Sequence, residues 1–487
     1  MKKILFVGAE ALPFASTGGL GDVMGSLPAA LAATGEVDVR VIMPLYAQVS
    51  EAWRRKMKDE AVFTVKLSWR NLYCGIKSLK HGGVTYYFID NEYYFKRDRL
   101  YGEFDDGERF AYFCMAVMEA IGQLDFYPDV LHAHDWQAAL SVVYLKTLYR
   151  EREGYDRIRA AFTIHNIEYQ GQYHFGILGD VFALGMEQYE LMDFGGSINL
   201  MKAAILAADA VSTVSPRYAT EIQTAAYGKR LDGVLRDNAH KLCGILNGID
   251  YRYYNPARDS SIPAPYSWRT RERKPENKLA LQTSLSLPVR RDVPLLAVIS
   301  RLAAHKGFDI MTPMLDELLA GNDVQLVVLG CGEESFEYYF TELSHRYPDK
   351  VRALMKYDRD LAKAIYAAAD IFLMPSKTEP CGLSQMIASR YGAIPVVRET
   401  GGLFDSIKGY WEEGGKIHGN GFTFAGYSTA ELHERTMAAI ALWKDEEKRG
   451  KLIGKIMRTD FSWDASAKSY LALYENLKET NTEGVNE

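Results

Sequence analysis

The sequence predicts an α/β protein made of two domains with parallel, doubly wound sheets. Three observations lead there. Short apolar runs alternate with longer amphipathic stretches along nearly the whole chain, which is the pattern of strand–helix units that build parallel sheets. The chain has 487 residues, more than one compact core holds and suited to two or three domains. Near the midpoint the pattern stops, at NGIDYRYYNPARDSSIPAPYS (residues 247–267), which is rich in Tyr, Pro and Ser and has no periodicity.

In order, KILFVGA, DVRVIMP, VTYYFID, DVLHAHD, RAAFTIH, DAVSTVS and LCGILNG read as strands of the first half. PLLAVIS, VQLVVLG, KVRALMK, DIFLMPS and AIPVVRE read as strands of the second. Several lack alternation, which marks strands covered on both faces. Residues 110–123 and 136–149 are clear helical stretches between strands. The break places the first domain at residues 1–250 and the second at 251–459. The last residues, ETNTEGVNE, read as a frayed tail.

Bulk properties remove several classes of function. A net charge of −6 leaves no basic footprint for nucleic acid or a membrane surface. The start, MKKILFVGAEALPF, begins like a signal peptide, but Glu10 and Pro13 break the apolar run where it would continue. No apolar run approaches the ~18 residues that a membrane span needs. Five scattered cysteines without a C-x-x-C pair read as reduced thiols of a cytoplasmic protein.

One word occurs twice. STGGLGD (residues 16–22) follows the first strand, and TGGLFD (residues 400–405) follows the last strand of the second half. Both lie beyond a strand's carboxyl end, where α/β sheets bind ligands. Paired glycines let backbone N–H groups approach an anion or a sugar, so Thr17, Gly18 and Gly19, and Thr400, Gly401 and Gly402, are candidate binding residues. Neither loop is G-x-x-x-x-G-K-[ST] or G-x-G-x-x-G, which speaks against a P-loop NTPase and a dinucleotide oxidoreductase. HAHD (132–135) sets His132 and His134 on one side of a strand, and with His165 they suggest a metal site. No acidic ligand set with metal spacing accompanies them, so no metal is expected. DRD (358–360) has a metal-binding form, but an Asp cap on the following helix explains it better.

The second half carries the informative cluster. SRLAAHKG (300–307) puts Arg301 and Lys306 at a strand's edge and a helix start, where cations oppose the helix dipole unless an anion binds there. A guanidinium fork and a compact ammonium suit a diphosphate. SKTEPCGLSQ (376–385) puts Glu379 beside a helix start, as an acceptor for sugar hydroxyls or as a helix cap. NEYYFKRDRLYG (91–102) is an aromatic, polar loop of the kind that stacks on sugar faces or simply packs.

Together TGGLGDV, YYFKRDRLYG, HAHDWQAAL, TIHNIEYQG, LNGID, SRLAAHKG, EPCGLSQ and TGGLFD resemble the bacterial glycogen synthase and plant starch synthase family of retaining glycosyltransferases, over nearly the whole chain and in the family's order. The resemblance implies a GT-B fold: two Rossmann-like domains facing across a cleft, with a C-terminal helix, here at about residues 460–479, crossing back to the first. It implies transfer of glucose from ADP-glucose to an α-1,4-glucan without a metal or another cofactor. It gives Arg301 and Lys306 the diphosphate. Glu379, with Cys381, Gly382 and Leu383, takes the glucose hydroxyls, and His165 and Asn166 the sugar. Tyr357 takes the adenine, Asp135 and Trp136 lie near acceptor and sugar, and Asn247 and Asp22 line the cleft from the first half. One departure stands out. The family's first word is K-T-G-G-L, and this chain has Ser16 in the lysine's place. Three readings stay open: an active enzyme that does without the lysine, one that prefers UDP-glucose, or a weak enzyme that mainly binds glucan.

Overall fold

The computed structural model describes residues 1–477. The end of the expected C-terminal helix and the expected tail lie outside the described residues. The described residues form two units: Met1–Val214 with Ala219–Ile245 and residues 463–477, and Leu246–Ser462 with Ser215–Tyr218. The chain therefore visits the second unit briefly at Ser215–Tyr218, enters it again at Leu246 and leaves it after Ser462.

In the first unit the strands are β1 (Lys2–Val7), β2 (Val37–Pro44), β3 (Lys58–Leu67), β4 (Arg70–His81), β5 (Val84–Asp90), β6 (Val130–His134), β7 (Arg159–Ile164), a small antiparallel pair β8 (Gln172–His174) and β9 (Ser197–Asn199), β10 (Ala210–Thr213) and β11 (Leu242–Gly244). All except β8 and β9 form one nine-stranded sheet in the order β11-β10-β7-β6-β1-β2-β5-β4-β3. The strands from β11 to β5 run parallel, and β4 and β3 extend that edge antiparallel. Ile4, Leu5, Phe6 and Val7 of β1 are all buried, as a strand covered by helices on both faces requires. The helix Gly19–Ala33 buries Leu20, Val23, Met24, Leu27 and Leu31, one face at helical spacing.

The C-terminal helix Trp463–Asn476 belongs to this first unit and packs on the helix Gly19–Ala33. Two contacts fix it. Lys2 donates to the Tyr474 carbonyl at 2.6 Å, and the Tyr474 hydroxyl meets His132 Nδ1 at 2.8 Å. The crossing implied by the family resemblance is thus present.

In the second unit β12 (Leu295–Ile299), β13 (Gln325–Leu329), β14 (Val351–Leu354), β15 (Ile371–Met374) and β16 (Ile394–Arg398) precede the small hairpin β17 (Trp411–Glu413) and β18 (Lys416–His418) and the edge strand β19 (Phe422–Phe424). Six of them form a parallel sheet in the order β14-β13-β12-β15-β16-β19. That is the Rossmann order, three strands wound one way and three the other.

A buried ion pair holds the amino edge of this sheet. Lys278, on the helix Lys274–Ser284, donates to Asp370 Oδ2 at 2.8 Å and to the carbonyls of Arg291 and Val293. The same Asp370 oxygen accepts from the backbone N–H of Leu295, where β12 starts. All three ammonium protons therefore have acceptors. Asp370→Ala would leave a buried charge unpaired, which costs about 3–5 kcal/mol. Chemical denaturation of the purified chain should show that loss, and a change below about 1 kcal/mol would mean that the pair does not hold the unit.

Candidate active site

Each sheet reverses its winding beside its first strand. The reversal lies between β1 and β6 in the first unit and between β12 and β15 in the second. Open α/β sheets take ligands at that switch, beyond the strands' carboxyl ends. The segments that follow these four strands carry most of the residues singled out in the sequence.

After β1 comes Glu10, 3% exposed. Its Oε2 accepts from the backbone N–H groups of Thr17 at 2.7 Å and Gly18 at 3.3 Å. Its Oε1 accepts from the hydroxyls of Thr17 and Tyr101, both at 2.6 Å. The first glycine loop is thus wrapped on a carboxylate of its own chain. Two of the amides expected to face an anion face Glu10 instead, which corrects the reading of that loop as an open cradle of N–H groups. Gly18 and Gly19 are exposed, and a Cβ on either would meet nothing within 4 Å. Ser16 is exposed and its hydroxyl donates to the Gly18 carbonyl at 3.1 Å. Asp22 lies in the first turn of the following helix, half-buried.

After β6 comes Asp135, and after β7 His165 and Asn166. Asp135 Oδ1 accepts from the backbone N–H of His165 at 2.7 Å. Asp135 has φ 58° and ψ 179°, a region that only glycine adopts without strain. Desolvation pushes its carboxyl up to about 7, against the His165 and Asn166 amides that favour the charge. His165 Nε2 meets His134 Nδ1 at 2.9 Å. Burial holds the imidazoles of His165 and His132 down to about 3 and lowers His134 as well. The rings are therefore neutral near pH 7, and His165 can exchange a neutral hydrogen bond with a hydroxyl. His132 has both nitrogens engaged, by Tyr474 and by Thr163 Oγ1 at 2.6 Å, so it brings no free lone pair to its neighbours. Among the described residues no cluster of His, Cys, Asp or Glu has the form of a metal site. Trp136 opens the next helix, half-buried, its ring edge-on to Phe110 at 5.3 Å. The Asn166 side chain accepts from the backbone N–H of Glu168.

In the second unit, residues 300–307, 330–333 and 375–382 interlock beyond β12, β13 and β15. The backbones approach so closely that a Cβ on Gly330 would lie 1.9 Å from the Ser300 carbonyl, and one on Gly307 2.1 Å from the Pro375 carbonyl. This packing brings Lys306 Nζ to 2.7 Å from Glu379 Oε2. Ser376 Oγ donates to the same oxygen at 3.0 Å. Glu379 does not cap the helix Ser384–Arg390, whose start has no side-chain cap. It is instead the buried partner of the lysine. Arg301 is exposed with no hydrogen bond or ion pair to its guanidinium among the described residues.

Gly382, at φ 72°, turns the chain between Glu379 and that helix. Burial pushes the Cys381 thiol up to about 12, so Cys381 is no nucleophile near neutral pH. Asp358 caps its helix by accepting from the Leu361 N–H at 3.0 Å, as expected. Tyr357 presents its ring to solvent, 81% exposed. Asn247, expected from the first half, belongs to the second unit, because the chain has crossed by Leu246. It is buried, and its Oδ1 has no partner among the described residues.

The second glycine loop differs from the first. A Cβ on Gly401 would lie 1.9 Å from the Glu379 carbonyl, and one on Gly402 2.1 Å from the Cys381 carbonyl. The Gly402 N–H donates to the Glu379 and Pro380 carbonyls. These glycines pack the loop that carries Glu379. Glu10, Tyr101 and Ser376 escaped sequence reading. Glu10 was readable as an acid at a strand's carboxyl edge, whereas nothing in the sequence pairs Tyr101 with it.

Two outcomes follow from these environments. Gly18→Ala should leave thermal stability unchanged, while Gly402→Ala should cost more than about 1 kcal/mol through overpacking; equal effects in thermal melts would contradict the difference between the loops. Asp135→Asn should raise the melting temperature, and more so as pH rises. Burial pushes the native carboxyl up to about 7 from the usual carboxylate range, so its burial cost develops as pH climbs from about 4 to above 7. A gain of at least about 2 °C at pH 8, shrinking towards pH 5, is expected. A gain independent of pH would assign the effect to backbone strain alone.

Residues 3–237 match the family model described as starch synthase catalytic domain, and residues 286–455 match glycosyl transferases group 1. The chain is 47% identical over 484 residues to a glycogen synthase of Geobacillus thermodenitrificans, covering 99% of both chains. It is equally identical, over the same length, to one of Geobacillus stearothermophilus. The structure resembles the catalytic domain of starch synthase IV from Arabidopsis thaliana bound to ADP and acarbose, with a TM-score of 0.89, 35% identity and coverage of 98% of this chain and 99% of that one. Two switch-point sites, both family models in order, and relatives matched from end to end place this chain in the glycogen and starch synthase family of retaining glycosyltransferases.

Proposed function

We propose that this chain is a glycogen synthase that transfers glucose from ADP-glucose to the non-reducing 4-hydroxyl of an α-1,4-glucan, with retention of configuration. The observation that carries the reading is the Lys306–Glu379 pair beside the unpaired Arg301, at the switch point of the second sheet. The relatives support the donor and acceptor: end-to-end matches are glycogen synthases, and the similar plant structure holds ADP and acarbose.

The chemistry asks for two things. Breaking the glycosyl–phosphate bond builds positive charge on the sugar and negative charge on the leaving diphosphate. Arg301 and Lys306 offset the second as preorganised charges. Glu379, with the backbone of residues 381–383, takes glucose hydroxyls. His165, neutral, orients the sugar with Asn166, and Asp135 and Trp136 attend the acceptor. Asn247, Asp22 and the residues of both glycine loops complete the substrate contacts, and Tyr357 stacks on the adenine. Retention follows from front-face attack by the acceptor hydroxyl, with the departing phosphate taking its proton. Asp135 and Glu379 are not nucleophiles in this scheme, and a trapped glucosyl adduct on either would overturn it.

Ser16 leaves the first loop without a cation. The reading holds that Arg301 and Lys306 suffice for the diphosphate. No helix among the described residues is long and apolar enough to cross a membrane, and a cytoplasmic location fits the nucleotide sugar and the reduced thiols.

The test is ADP release from ADP-glucose with and without glycogen, beside UDP-glucose. Primer-dependent release from ADP-glucose, reduced at least about 100-fold in Lys306→Ala, is expected. Preference for UDP-glucose would change the donor. Silence with both, rescued by Ser16→Lys, would make the chain chiefly a glucan binder.

A further inference from the structure

We infer that Glu10 and Tyr101 act as one positioning pair that sets the shape of the first glycine loop and, through it, the affinity for the donor's diphosphate. The inference rests on the reading under Proposed function. It assigns a task to two residues that do not themselves touch the leaving group.

Glu10 makes four hydrogen bonds and accepts in every one. Three come from the loop itself, through the Thr17 N–H, the Thr17 hydroxyl and the Gly18 N–H. The fourth comes from Tyr101, 91 residues further along the chain. Among the described residues Glu10 has no ion pair, so these neutral donors alone satisfy a buried carboxylate. Losing one donor from such a cluster costs more than an average hydrogen bond, because the group left behind is charged and desolvated.

Tyr101 is itself fixed from behind. The Gly102 N–H donates to Asp106 Oδ2 at 2.8 Å. Arg109, fully buried, pairs with Asp106 and donates to the carbonyls of Leu100 and, at 2.8 Å, Tyr94. The ring of Tyr101 lies against Phe110, with centroids 5.9 Å apart. Rigid backing on one side and an exposed loop on the other make Tyr101 a strut. It holds the carboxylate, and the carboxylate holds the loop.

What the loop then offers outward is narrow. With the Thr17 and Gly18 amides turned to Glu10, the outward features are the Gly19 backbone and the open space above both glycines. A lysine at position 16 would add charge and tolerate an imperfect loop. With Ser16, shape is what the loop contributes, so its positioning should weigh directly on binding.

The experiment measures KM for ADP-glucose, kcat, and the competitive Ki of ADP in Glu10→Gln, Tyr101→Phe and the double variant, with Thr17→Val as a variant that lacks the loop's hydroxyl donor to Glu10. ADP carries no glucose, so its Ki reports on the adenosine diphosphate without the sugar. The expected result is a 3- to 10-fold rise, on the order of one to two lost hydrogen bonds, in both KM and Ki for each single variant. The double variant should show no more than the larger single effect. Thr17→Val should follow Glu10→Gln. An unchanged Ki with a raised KM would overturn the inference, because the pair would then contact the sugar directly. Additive effects in the double variant would overturn it as well, since they would mean independent roles. If the native chain releases no ADP from ADP-glucose, the reading under Proposed function has failed, and ADP binding by calorimetry on the same variants still tests the pair.

Discussion

The ammonium of Lys306 rests 2.7 Å from the carboxylate of Glu379, and the second unit is arranged around keeping that pair in reach. Parallel β12 and β15 deliver the two segments side by side. Glycines at 307, 330, 401 and 402 let the backbones of neighbouring loops approach until no side chain would fit. Ser376 adds a donor to the carboxylate. In the absence of donor, the pair satisfies two charges that would otherwise be costly to hold in a partly desolvated place. Under the proposed function, an arriving diphosphate would give Lys306 a second anion and leave Glu379 available to hydroxyls. The two groups satisfy one another at rest.

The first unit handles its charges differently. Its acid, Glu10, is held by neutral donors from the glycine loop and Tyr101. Burial lowers the imidazoles of His132, His134 and His165 and keeps them neutral. Asp135 is raised towards neutrality and sits on a strained backbone. Two repeats of one sequence word therefore do unlike work. In the first unit the glycines leave space beside a carboxylate-bound loop. In the second they allow backbone to pack against backbone beneath Glu379.

Much of this was legible in the sequence. The parallel strands announced themselves as apolar runs without alternation, and LLAVI of β12 and QLVVL of β13 form with bounds close to those read. The antiparallel β3 and β4 did not. KDEAVFTVKL exposes every second residue over most of its length, and an edge strand with one wet face gives no continuous run to notice. At the site, Arg301 and Lys306 stood out because cations are out of place at a helix start, and Glu379 as a carboxylate that could take hydroxyls or cap the next helix. Their mutual contact was not readable, since 73 residues separate Lys306 from Glu379 and only the sheet order brings them together. Asn247 was misplaced for a related reason: the crossing at Leu246 precedes the Tyr- and Pro-rich break that marks it in the sequence. Glu10 was visible as a flaw in an apolar run and as an acid at a strand's carboxyl edge, but its role depends on contacts that no local pattern encodes.

The most direct measurement of the central claim is calorimetric binding of ADP to the native chain, Lys306→Ala and Glu379→Gln. If Lys306 serves the diphosphate and Glu379 is its resting partner, Lys306→Ala should lose ADP affinity. Glu379→Gln should gain it, by a few-fold, because the lysine no longer divides its charge; transfer of glucose should still fall for want of the hydroxyl acceptor. Loss of ADP affinity in both variants would contradict the account, since it would make the pair a structural brace and leave the diphosphate without its assigned cation.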